Sequence, residues 1–117
     1  MRLNEISYDG ARPIDSYGPG FFRIDGALFE GAAIVTARGV ASWGGLTDAQ
    51  TLLALAGEVD VIFVGVGASV GRLPAELRQA LEEVGLGVEA MDTPAACRTY
   101  NVLLSEGRRI AAALIPV

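Results

Sequence analysis

Between Leu3 and Trp43 the chain breaks into short apolar or alternating stretches separated by glycine: Leu3 to Tyr8, Phe21 to Ile24, Ala27 to Glu30, Ala33 to Ala37 and Val40 to Trp43. Such runs read as strands of an antiparallel part. Asp25-Gly26 is a dipeptide that tolerates positive φ in a tight hairpin, so the stretches starting at Phe21 and Ala27 are predicted to pair directly. Tyr17-Gly18-Pro19-Gly20 predicts a second turn.

From Thr47 the period changes. Thr47-Asp48-Ala49-Gln50 has the form of a capping box, and Leu52, Leu53 and Leu55 follow before Gly57, which predicts a helix over Thr47 to Ala56. Asp60 to Val64 is continuously apolar after its first residue, the pattern of a central strand covered on both faces. A glycine-rich loop, Gly65 to Gly71, leads to Pro74 at a first helical position, with Leu77, Ala80, Leu81 and Val84 as one stripe and Gly85 closing the helix. Gly87 to Met91 predicts a strand. Thr93 then caps a third helix with Pro94 in its first turn, ending near Gly107, and Arg108 to Ile115 predicts a last strand stopped by Pro116. The order strand, helix, strand, helix, strand implies a three-layer α/β fold. It has a mixed central sheet flanked by helices, and the antiparallel N-terminal part forms an additional β layer. At 117 residues, one domain over 1–117 is expected.

Composition narrows the chemistry. Nine basic against fourteen acidic residues give a net charge of −5, the wrong sign for gripping a phosphate backbone, so nucleic acid is not an expected partner. All the cations are arginines and histidine is absent. This removes histidine-containing triads, the lysine Schiff base and the lysine of a phosphate-binding loop. The single cysteine cannot form an internal disulfide or complete an ordinary zinc site, and no cofactor is expected. The apolar run from Ile110 to Ile115 is far shorter than a membrane span, and the first residues lack the apolar core of a secretory signal. A cytoplasmic address is the resulting expectation, and arginine in place of lysine with abundant Ala, Gly and Val, as a GC-rich genome produces, points to a bacterial source.

Candidate chemistry gathers where strands end. Gly65-Val66-Gly67 follows a central strand, the place where α/β folds commonly bind ligands. Its spacing is G-x-G-x-x-x-G, and Arg72 and Leu73 separate it from the following helix, so it is not a dinucleotide fingerprint. Its amides, with Arg72, suit a small anion; alternatively the glycines only supply positive φ. Asp92 and Thr93 are predicted at the same sheet edge, so the two loops could share a cleft. There Asp92 is either a base or ligand, or an acid favourably placed at a helix N-terminus. Cys97 sits in the first helical turn, where the dipole can activate a thiol, but it has no histidine partner and lies among alanines, as a buried small hydrophobe does. Arg98, Asn101 and Ser105 recur on one helical face, which fits either a site or ordinary solvation. Trp43 and Tyr100 read as core residues with one satisfied polar atom. Arg108 and Arg109, if on a strand, point to opposite faces, and one could pair with Glu106. No catalytic, cofactor-binding or metal residue is assigned.

The string from Met91 to Leu103, with Glu106-Gly107-Arg108-Arg109 and Ala112 to Pro116, resembles a family of small uncharacterised α/β proteins. Its eukaryotic relatives include a mitochondrial respiratory complex I assembly factor and an adipogenesis-associated protein. The resemblance extends to Tyr17-Gly18, Phe21-Phe22, Trp43, Gly65-x-Gly67 and Pro74. It implies a mixed sheet with helices on one side and strands plus a helix on the other, and it implies no settled activity. Family members usually read Gly-Thr-Gly at the turn, whereas here Val66 removes any hydroxyl contact. Two functions follow as expectations. The first is a non-catalytic binding or assembly protein, with a respiratory complex subunit as partner, engaging it through the Asp92 to Asn101 edge. The alternative is a small-molecule enzyme or ligand carrier using the cleft between the Gly65–Gly67 loop and the Asp92–Asn101 helix start, with Asp92 or Cys97 reactive and Arg72 or Arg98 holding a carboxylate or phosphate. A homo-oligomer is a third possibility, since a short hydrophobic N-terminal sheet can need a partner.

Overall fold

The structure is a computed structural model that describes residues 13–68 and 72–117; the stretch expected to form a strand from Leu3 to Tyr8 lies outside them. Strands β1 (Ile14–Gly18), β2 (Phe21–Ile24) and β3 (Ala27–Glu30) form an antiparallel sheet in that order. The β2–β3 turn is the one expected: Asp25 and Gly26 both take positive φ, 51° and 84°, and the register runs Ile24 to Ala27 and Arg23 to Leu28. The Asp15 carboxylate accepts from the Gly26 N–H at 2.7 Å and braces this turn.

The second sheet holds β4 (Ala33–Thr36), β5 (Gly39–Ser42), β6 (Val61–Gly65), β7 (Gly87–Met91) and β8 (Ile110–Leu114) in the order β5-β4-β8-β6-β7. Thus β4 and β5 leave the N-terminal part to which their pattern assigned them and become the antiparallel edge of the main sheet. β8, rather than β6, holds the middle. β6 still has parallel neighbours on both sides, which accounts for its unbroken apolar run. Side chains alternate across this sheet: Val35, Phe63, Ile110, Ala112 and Leu114 face one core, and Ile34, Ile62, Val64, Ala111 and Ala113 face the other.

Helix α1 (Ala49–Leu53) is shorter than expected and starts later, because Asp48 rather than Thr47 caps it. A carboxylate can accept several bonds at once: Asp48 takes the Thr51 N–H at 3.2 Å, the Thr51 hydroxyl at 2.6 Å and the Gly44 N–H at 3.0 Å. After Leu53 the amides of Leu55 and Ala56 bond three residues back, tightening the chain toward Gly57 (φ 84°). Pro74 sits at the N-cap of α2 (Ala75–Glu83), not inside it. Leu77 and Leu81 are buried as the stripe requires, but Val84 turns outward with 46% of its surface exposed, since the helix has already ended at Glu83. Helix α3 (Thr93–Ser105) completes the set.

The crossovers explain the layers. β6 runs through α2 to β7 on one side, and β7 runs through α3 to β8 on the other side of β6. Right-handed crossovers in opposite directions place α2 and α3 on opposite faces. One core joins α1 and α2 to the sheet around Trp43, Leu52, Leu81 and Leu86; the other joins α3 and the three-stranded sheet around Phe22, Ile24 and Tyr100. This is the three-layer fold with an extra antiparallel layer that the pattern implied.

Candidate functional site

Adjacent strands β6 and β7 send their following loops to opposite faces, so their carboxyl ends form the type of crevice in which open α/β sheets bind ligands. Gly65, Gly67, Asp92 and Thr93 do meet there. Thr93 is fully buried. Its hydroxyl donates to the Ile115 carbonyl at 2.6 Å and accepts from the Gly67 N–H at 2.9 Å, tying together the chain leaving β6, the start of α3 and the end of β8. The Thr93 N–H donates to the Gly67 carbonyl at 2.8 Å and the Val66 N–H to the Met91 carbonyl at 2.9 Å. The amide donors of Val66, Gly67 and Thr93 are therefore engaged inside the protein. Gly67 has φ 112°, a left-handed conformation that favours glycine.

Asp92, not Thr93, is the N-cap of α3: its carboxylate accepts from the Ala95 N–H at 2.7 Å. With a hydroxyl already committed to Ile115 and Gly67, Thr93 has no oxygen free for capping. Cys97 is buried among the α3 core residues, and burial pushes its thiol up to about 11, with Arg98 pulling the other way. That shift is opposite to the activation expected of a reactive thiol. Arg98 is exposed. Arg72 is exposed as well, between the undescribed residues 69–71 and α2.

Asn101 parts company with Arg98 and Ser105. Its side-chain oxygen accepts from the Ile14 N–H at 2.9 Å and its amide donates to the Ile14 carbonyl at 2.8 Å, so it behaves as one rung of a sheet ladder and fastens β1 to α3. The outward stripe of α3 is instead Arg98, Val102 and Ser105, with Val102 57% exposed. Its spacing, i, i+4, i+7, was available in the sequence, but an apolar residue gave no reason to place it outside. Trp43 is a core residue with its polar atom satisfied, as expected, its indole N–H donating to the Asp48 carbonyl at 3.1 Å; Tyr100 is fully buried.

At the opposite end of the sheet lies a cavity of about 470 Å³ that sequence reasoning missed. It is formed by the β4–β5 turn, the α1–β6 loop and the α3–β8 loop. Val59, Leu104 and Ile110 make its apolar wall, with Arg38, Glu58 and Arg108 among its charged lining. Arg108 and Arg109 precede β8 rather than lie on it. Arg109 pairs with Asp60 at 3.2 Å instead of Glu106. The Arg-Arg dipeptide was the available signal; what hid the site was that Arg38 and Glu58 come from distant parts of the chain.

The family described as a protein of unknown function (DUF498/DUF598) matches residues 14–115. An uncharacterized protein of Rhodobacter capsulatus is 49% identical over 117 residues, covering 100% of this chain and 94% of its own. NADH dehydrogenase (ubiquinone) 1 alpha subcomplex assembly factor 3 is 38% identical in Danio rerio and 36% in Homo sapiens. Each match spans 88% of this chain, but only 63% and 60% of the relative's length. Among solved structures, one described as an outer membrane protein from Bartonella henselae superposes with a TM-score of 0.83 at 37% identity, covering 92% of this chain and 97% of its own. A Bordetella pertussis protein described as a Mth938-like domain has a TM-score of 0.76 at 32% identity, covering 99% and 92%. Among the described residues no helix is long and apolar enough to cross a membrane.

Proposed function

The chain belongs to the family of unknown function DUF498/DUF598, and from that premise we propose that it is a non-catalytic binding protein that assists assembly of a respiratory NADH dehydrogenase. The observation that carries this reading is its similarity over 88% of its length to relatives named as NADH dehydrogenase assembly factors. Two physical features support it. The chain lacks histidine and lysine, the side chains that most often serve as bases and amine nucleophiles near neutral pH. The crevice beyond β6 and β7 spends its amide donors internally, and the Cys97 thiol, buried in the core beneath α3, is held protonated by burial.

On this reading the partner meets the Asp92 to Asn101 edge, where Arg98 is exposed, and the surface continues along α3 to Val102. An exposed arginine, a residue type enriched at interfaces, offers a charge for orientation, and the exposed valine beside it adds apolar contact area. The test is affinity capture of the full chain from a respiring bacterium that makes an NADH dehydrogenase, with Arg98→Glu and Val102→Asp in parallel. The expected result is recovery of a dehydrogenase subunit by the parent protein and its loss in both variants, each still folded by circular dichroism. Recovery of no such subunit above background overturns the reading.

A further inference from the structure

We propose that the cavity at the amino ends of β6 and β8 is a binding site for a small organic carboxylate with a short aliphatic body. This goes beyond the assembly reading and does not depend on it, since the cavity lies at the opposite end of the sheet from the start of α3. At about 470 Å³ it falls within the range of pockets that enclose small ligands. Its wall combines buried Val59, Leu104 and Ile110, and the charged groups facing it are Arg38, Glu58, Arg108 and Arg109.

Arg108 is the decisive residue. Helices α2 and α3 end in the same way, with a glycine at positive φ and two returning amides. Gly85 N–H bonds to Glu82 and Leu86 N–H to Leu81, while Gly107 N–H bonds to Leu104 and Arg108 N–H to Leu103. In this ending the residue after the glycine commonly makes an apolar contact that locks the helix terminus. α2 obeys: Leu86 is 2% exposed and shares a core with Leu81. α3 does not, for Arg108 occupies that place and is exposed at the cavity. The helix ending therefore does not explain an arginine there.

The neighbouring charges leave Arg108 available. Arg109 is held by Asp60 at 3.2 Å and by the Gly57 carbonyl at 3.3 Å. Arg38 reaches Glu58 at 3.6 Å, a long, exposed pair of the kind that contributes little. Among the described residues Arg108 has no ion pair. A carboxylate can take a two-pronged contact from Arg108 while displacing Glu58 from Arg38, and its aliphatic body covers the Leu104 and Ile110 wall. Glu58 then acts as an internal competitor for the incoming anion.

The experiment is a titration of the full chain with hexanoate, followed by amide chemical shifts, with hexan-1-ol as the uncharged control and an acidic peptide as the macromolecular one. Saturable shifts at 36–38, 58–59 and 104–110 are expected with hexanoate alone. Arg108→Gln weakens binding about tenfold, the usual worth of a hydrogen bond to a charged group. Glu58→Gln tightens it, a direction that a purely structural role for this ion pair does not produce. Both side chains are exposed, and unchanged thermal midpoints verify that the variants fold. No saturable shift through the millimolar range, equal binding of hexan-1-ol, binding of the acidic peptide but not hexanoate, or indifference to Arg108→Gln each overturns the proposal.

Discussion

A methyl group added to Gly65 would stand 2.8 Å from the Thr93 hydroxyl and 2.9 Å from the Thr93 Cα, closer than packed atoms tolerate. Gly65 is therefore glycine because the start of α3 lies directly on the last residue of β6, and the contact involves backbone that cannot swing aside. Gly65→Ala is expected to destabilise the protein by about 1–3 kcal/mol, the usual cost of overpacking a filled site. Urea unfolding followed by far-ultraviolet circular dichroism reads this as a lower midpoint at unchanged slope. A midpoint equal to that of the parent refutes the packing argument.

The same contact makes Thr93 informative. Thr93→Val keeps the shape but leaves the Ile115 carbonyl and the Gly67 N–H without the hydroxyl, in a site with no exposure. The cost of such orphaned groups is about 1–3 kcal/mol. Thr93→Ser keeps both bonds and loses only a methyl, so it is expected to cost less, about 0.5–1.5 kcal/mol by analogy with other single-methyl deletions. The ordering is the test: if serine is worse than valine, methyl packing and not the hydroxyl holds these strand ends together.

Asn101 joins parts of the chain 87 residues apart through its paired bonds with Ile14. Asn101→Ala is expected to free the β1 end of the N-terminal sheet, at a cost of about 1–3 kcal/mol for two part-buried backbone groups. The sharper readout is native-state hydrogen exchange. The Ile14 amide should lose protection, while Ala111 and Ala113 in the central strand keep theirs, because local opening need not involve the global core. Uniform loss of protection across both sheets contradicts a local clasp.

What the sequence disclosed follows from the range of the interactions involved. The Asp25-Gly26 turn, the β7 strand and the C-terminal ends of α2 and α3 were legible because each depends on neighbours a few residues away. Continuous burial of β6 was legible too, since two-sided packing leaves an unbroken apolar run. The placement of β4 and β5 was not. Their alternation is equally compatible with either sheet, and only pairing of β4 with β8, almost eighty residues later, decides it. The candidate residues divide in the same way. Gly65, Gly67, Asp92 and Thr93 come together as their strand ends required, whereas Asn101 is taken by β1 and Arg108 gains its setting from Arg38 and Glu58. Asp48 displaced Thr47 as a cap for a chemical reason within reach of sequence: a carboxylate serves three donors where a hydroxyl cannot.

Cys97 supplies a pH-dependent prediction. Burial pushes its thiol from an ordinary 9.0 up to about 11, partly offset by Arg98, so the folded protein keeps the proton in a range where the unfolded chain has lost it. The folded pKa is raised. The contribution of this group to stability is accordingly intact below pH 9.0 and declines as pH rises toward about 11, where the folded thiol also ionises. Urea midpoints of the parent should fall between about pH 8 and about pH 10.5, and part of that fall should vanish in Cys97→Ala, which has no group to titrate. Maleimide labelling gives an independent reading. The native thiol should react far more slowly than the same thiol in urea, because it is both protonated and covered. If native and unfolded rates coincide at about pH 8, Cys97 is accessible, and the exclusion of thiol chemistry from this site fails with it.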